Sequence, residues 1–94
     1  MSMIKFPPTE ASERAMRKQA WAELFGTLIK SARRKHNRSV EEAARRAEMD
    51  PARWQVIEAG QVPEWPELHH IAEGISAPLS WVMSVVYLCS EAFD

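Results

Sequence analysis

Ninety-four residues, 46% apolar and 27% charged, with no low-complexity tract, describe one small domain near the size at which a single core is only just sufficient. The lone cysteine, Cys89, excludes an internal disulfide and suits a buried thiol in a reducing cytoplasm, and the longest apolar run, Trp81 to Cys89, is too short and too broken by serine to cross a bilayer. The net charge of −1 hides an asymmetry: all twelve Lys and Arg lie between Lys5 and Arg53, against seven acids as far as Asp50, whereas from Gln55 onward there are six acids and no Lys or Arg. One half of the molecule is suited to attract phosphate and the other to repel it, although charge alone fits a set of solvated helix faces equally well.

Residues 1–8 read as a flexible arm ended by Pro7-Pro8, and Met1–Lys5 lacks the apolar continuation of a signal peptide. The chain from 9 to 94 then reads as a single domain. A helix is expected from Thr9, supported by the i,i+4 pairs Glu10/Arg14 and Glu13/Arg17. Its apolar stripe, Met16, Ala20, Leu24, Leu28 and Ala32, is widened into a core face by Trp21, Phe25 and Ile29, and Gly26 is its one interruption. Arg33, Arg34, Lys35, His36 and Arg38 cluster where this helix ends, and its dipole favours cations there.

The stretch from Ser39 to Gly60 carries the strongest local signals. Ser39 and Glu42 have the spacing of a capping box. Ala43, Ala44 and Ala47 form a small-residue face that lets a second helix come close, and Glu41 and Glu42 precede Arg45 and Arg46 in the favourable order on the solvated side. Asp50 caps a second helix that begins at Pro51, turns Trp54 and Ile57 inward and stops at Gly60. Two short helices joined by a tight turn make a helix-turn-helix. Past Val62-Pro63 a fourth helix is expected over roughly 65–74, with Leu68, Ile71 and Ala72 inward. A fifth is expected over about 79–93, with Leu79, Val82, Met83, Val86, Cys89 and Phe93 facing the core.

These features resemble the phage-repressor and Cro-like (XRE) helix-turn-helix family. The likeness rests on Phe25-Gly26, Lys30 and Arg33 in the opening helix and on Glu58-Ala59-Gly60 closing the second helix of the motif. It continues through Pro63 and Leu68-His69-His70-Ile71-Ala72 to Leu79, Trp81 and Val82. It covers Leu24 to Val82, about two thirds of the chain. It implies an all-α, five-helix, lambda-repressor-like domain, here with an N-terminal helical extension. It also implies a salt bridge between Arg33 and Glu58 that ties the opening helix to the end of the recognition helix. At the DNA-reading positions the chain departs from the family. Val40 stands where a polar residue, often Gln, is common; Asp50-Pro51-Ala52 opens the recognition helix; and Val56 holds a position that often reads a base.

The residues expected at DNA are therefore Arg38 and Ser39 near phosphates, with Val40, Ala52, Arg53, Gln55, Val56 and Gln61. Arg53 has the geometry to read guanine in bidentate fashion, and Ala52 or Val56 to touch a thymine methyl. The competing possibility is that Arg53 pairs with Asp50 or Glu48 and that this surface meets protein. On the fifth helix, Trp81, Val85, Leu88 and Ala92 form a second apolar face, expected to be covered by a twofold copy. The alternative cover is the N-terminal extension, folded back through Met16 and Ala20. His69 and His70 are adjacent and diverge by roughly 100° on a helix, so no metal is expected; neither a cofactor nor catalysis is indicated. The sequence reads as a cytoplasmic, dimeric DNA-binding repressor of a pseudo-palindromic operator. The alternative is a protein-interaction module or antitoxin-like partner on the same fold, with weak or no DNA binding.

Overall fold

A computed structural model of the chain describes residues 10–91, with side chains from 15 to 88. The described residues form five helices and no strand: α1 (Glu10–Lys35), α2 (Val40–Ala47), α3 (Pro51–Glu58), α4 (Trp65–Gly74) and α5 (Leu79–Glu91). The expected arm at 1–8, the Glu10/Arg14 and Glu13/Arg17 pairs, the Cys89 thiol, Ala92 and Phe93 lie outside the described backbone or side chains.

The opening helix runs unbroken through Gly26. A Cβ there would sit 2.5 Å from the Ile57 carbonyl oxygen and 2.6 Å from that of Glu58, so this glycine admits the end of α3 against α1 rather than interrupting the helix. Asn37, at φ 55°, ends the turn that follows α1, a conformation asparagine tolerates better than most residues. The Ser39–Glu42 capping box is complete, with Glu42 N–H donating to Ser39 Oγ at 3.1 Å and Ser39 N–H to Glu42 Oε1 at 3.0 Å. Asp50 Oδ1 accepts from Ala52 N–H at 2.9 Å and starts α3 at its proline.

Ala43, Ala44 and Ala47 are wholly buried, and α2 lies close along α4. Gly74 closes the seam: a Cβ on it would meet the Trp54 ring at 2.6 Å and the Ala43 carbonyl oxygen at 2.8 Å. Around this seam Phe25, Ile29, Trp54, Ile57, Leu68, Ile71, Ile75 and Val82 complete the core.

The stripe expected on α1 is corrected in its first half. Met16, Ala20 and Leu24 are exposed, while Ala22, Phe25 and Ile29 are buried, with Trp21 stacked on Phe25 at 5.3 Å between ring centroids. The phase of α5 is corrected as well. Leu79 (42% exposed) and Met83 (36%) lie outside the core, and Val85 is buried beside Val82 and Val86 instead of lying on an outer face. A helix apolar on most sides leaves its phase undetermined by periodicity. Here α1 and α4 set it, and Trp21 Nε1–H donates to the Val86 carbonyl at 3.1 Å. Trp21 thus bonds α1 to α5, while Met16 and Ala20 are exposed.

Candidate nucleic-acid interface

The recognition element is α3, and two arginine–glutamate pairs hold it. At its C-terminal end Arg33 of α1 meets Glu58 side-on, with Nε to Oε2 at 2.6 Å and Nη2 to Oε1 at 3.0 Å. Trp54 Nε1–H donates to the same Oε2 at 2.6 Å, and Arg33 Nη1 donates to the Arg38 carbonyl at 2.7 Å. Both charges are nearly out of water, at 10% and 7% side-chain exposure, and no buried side-chain nitrogen or oxygen among the described residues lacks a hydrogen-bond partner. The hydrogen bond to Glu58 raises the Arg33 pKa against the opposing effect of burial, so the guanidinium stays charged.

The second pair joins α3 to α4. Arg53 donates from Nε to Glu67 Oε2 at 2.7 Å and from Nη2 to Glu67 Oε1 at 2.6 Å. Nη2 also reaches the Val62 carbonyl at 3.3 Å, and Nη1 donates to Gln61 Oε1. Arg53 is therefore not presented to solvent as a base reader, and its partner is neither Asp50 nor Glu48. The acceptor that wins is held by α4's own N-terminus, where Glu67 Oε1 also accepts from Glu64 N–H at 2.8 Å. The hydrogen bond from Arg53 pulls the Glu67 carboxyl below its ordinary range.

The other expected DNA residues divide. Ala52, Gln55 and Val56 share the outward side of α3 and are exposed. Ser39 is exposed, with its hydroxyl serving the α2 cap. Val40 is half-buried against the core, and Gln61 is exposed but accepts from Arg53. Arg38 is half-buried and donates from Nη1 to the Gly74 carbonyl at 2.9 Å, fastening the segment before α2 to the end of α4. On α5, Trp81 and Leu88 are exposed at 39% and 65%, and Val85 leaves that group for the core.

A shallow groove of about 320 Å³ opens between α1 and α3 beside the start of α2, with Lys30, Arg34, Val40, Gln55 and Ala59 around the Arg33–Glu58 pair. Lys30 and Arg34 are one helical turn apart and exposed, so they bring cations to the edge of the α3 face. In the sequence only their i,i+4 spacing marks them as a pair of cations. Glu67 was missed, since the Glu64-x-x-Glu67 spacing shows a cap but not an arginine fourteen residues back.

Residues 24–80 match the family described as Helix-turn-helix domain, in the XRE and Cro-like group. The chain belongs to that helix-turn-helix family. The match spans more than half of the chain and contains α2, α3 and α4 entire, with most of the α1 segment that meets α3. No curated protein and no solved structure gave a match. A helix-turn-helix domain points to a DNA-binding regulator in general terms. No described helix is long and apolar enough to cross a membrane, and no three described His, Cys, Asp or Glu residues are grouped to hold a metal ion.

Proposed function

We propose that this helix-turn-helix protein is a sequence-specific DNA-binding repressor, working as a homodimer on a short pseudo-palindromic operator. The observation that carries the reading is the outward face of α3. Ala52, Gln55 and Val56 are exposed together, and Lys30 and Arg34 stand at the edge of the same face across the groove. Gln55 has the paired donor and acceptor that match adenine in the major groove, and Ala52 and Val56 offer apolar contact to a thymine methyl. Lys30 and Arg34, with Ser39 at the start of α2, supply phosphate contacts, which fix register but not sequence. Exposed Trp81 and Leu88 on α5 supply apolar surface for the twofold partner that two half-sites require.

One observation favours a second reading. The only cation on α3 is spent on Glu67, and Asp50 stands exposed at the start of the helix. Those features suit a protein-interaction module whose partner takes the place of DNA. Selection from a random-sequence duplex pool, followed by sequencing, separates the two. An enriched palindrome supports the repressor, and a pool returned without enrichment supports the interaction module.

A further inference from the structure

We propose that Glu67 is a specificity-determining residue that withholds Arg53 from DNA, a charge latch between α3 and α4. The inference rests on the DNA-binding reading. Arg53 is the one Lys or Arg in the α3 sequence PARWQVIE, hence the only side chain there able to offer a guanidinium fork to guanine or phosphate. Such recognition needs two parallel N–H groups on one edge of the fork. The Nε/Nη2 edge is taken by both oxygens of Glu67, and the Nη1/Nη2 edge is split between Gln61 Oε1 and the Val62 carbonyl. No two-donor edge remains for a nucleic acid.

The acceptor is a built one. Glu67 is fixed independently of Arg53, because its Oε1 caps the α4 N-terminus through Glu64 N–H. Arg53 is the main cation holding the Glu67 carboxylate, with the His70 charge on α4 a smaller influence. The pair is also exchangeable in a way that Arg33–Glu58 is not. Its side chains are 29% and 19% exposed, against 10% and 7%, so an incoming phosphate or base edge has a route to the guanidinium. With the latch closed, α3 reads DNA through Gln55, Ala52 and Val56; with the carboxylate neutralised, Arg53 joins them and adds a preference at one base pair.

Glu67→Gln tests this cleanly, because glutamine keeps the oxygen that caps α4 while losing the charge. Fluorescence anisotropy would measure Kd for wild type, E67Q, R53Q and the double variant. The probes are the duplex most enriched by E67Q from a random pool and a scrambled duplex of equal length, with thermal melts confirming the fold. E67Q is expected to bind the enriched duplex about tenfold tighter than wild type. R53Q should abolish that gain in the E67Q background, yet change wild-type affinity less than about twofold. Glu64→Gln, which removes a neighbouring charge not bonded to Arg53, sets the size of a purely electrostatic gain and should fall well short of E67Q. An E67Q no tighter than a DNA-binding wild type, or a gain that survives R53Q, overturns the latch and leaves the DNA-binding reading standing. So does a large loss for R53Q in wild type, a result available even if E67Q does not fold. A wild type that binds no duplex while E67Q does supports the latch, and failure of both to bind removes the latch and the DNA-binding reading together.

Discussion

The two arginine–glutamate pairs on α3 use nearly the same geometry for different ends. Each is a side-on fork with contacts of 2.6–3.0 Å, and each joins α3 to a neighbouring helix. They differ in what surrounds them. Around Arg33–Glu58 the further partners are the Trp54 indole and the Arg38 carbonyl, and both side chains are nearly buried. Around Arg53–Glu67 the partners are a surface glutamine and a loop carbonyl, and both charges keep part of their hydration. A desolvated pair fixes an orientation because neither partner tolerates being left alone, whereas a hydrated pair can trade partners at small cost.

That contrast is breakable by mutation. The largest effect belongs to the buried pair: Arg33→Ala or Glu58→Ala should each cost about 3–5 kcal/mol by stranding the other charge, and the double variant much less than the sum. Denaturant melts of the four proteins check it, and additive costs would show that the two groups act independently. Gly26→Ala attacks the same junction without touching a charge. Its Cβ would press on two backbone carbonyls of α3, for a loss of about 1–3 kcal/mol on overpacking grounds.

The rule that exposure decides the role extends to α5. Leu88→Glu should leave the fold within about 0.5 kcal/mol of wild type and, in the proposed dimer, yield a monomer by sedimentation. Val85→Glu should unfold the domain, since it buries an unpaired charge. A Leu88 variant that sediments like wild type removes Leu88 from the interface.

The hydrated pair should contribute least to stability. Glu67→Gln is expected to cost about 1 kcal/mol or less. Its signature lies in pH. Because the folded state holds the Glu67 carboxyl below the ordinary value of 4.5, its contribution is complete above that value and is lost as pH falls through the lower folded one. Wild-type melting temperature should therefore drop on acidification below 4.5, and E67Q should drop less. Glu42, lowered by the Ser39 backbone hydrogen bond of its capping box, adds a decline in the same window that E67Q leaves intact. Parallel acid profiles for wild type and E67Q would show that Glu67 ionisation is not coupled to folding.

What was readable in the sequence was what short-range chemistry determines. Ser39 with Glu42, Asp50 before Pro51, and the inward Trp54 and Ile57 place α2 and α3 closely, because caps and periodicity act over a few residues. Helix phase was less readable. On α5 nearly every side is apolar, so the choice between Val85 and Met83 for the core fell to Trp21 and the neighbouring helices, distant in sequence. The protein partners of Arg53 and Arg38 were not readable for a related reason. The Arg53–Glu67 pair spans fourteen residues and the bond from Arg38 to the Gly74 carbonyl thirty-six, pairings that local spacing cannot encode.

The seam between α2 and α4 has a mechanical consequence. Helices that slide past one another usually absorb the motion by switching rotamers in the side chains between them. The α2 side of this seam is Ala43, Ala44 and Ala47, residues with no χ1 choice to make, and Gly74 of α4 lies against the Ala43 carbonyl. The α2 side of the seam thus offers no rotamer slack, so α2 and α4 should travel together. Any flexing of the domain is then passed to the Glu48–Asp50 turn and to α5, and amide exchange should be slowest along the buried side of α2.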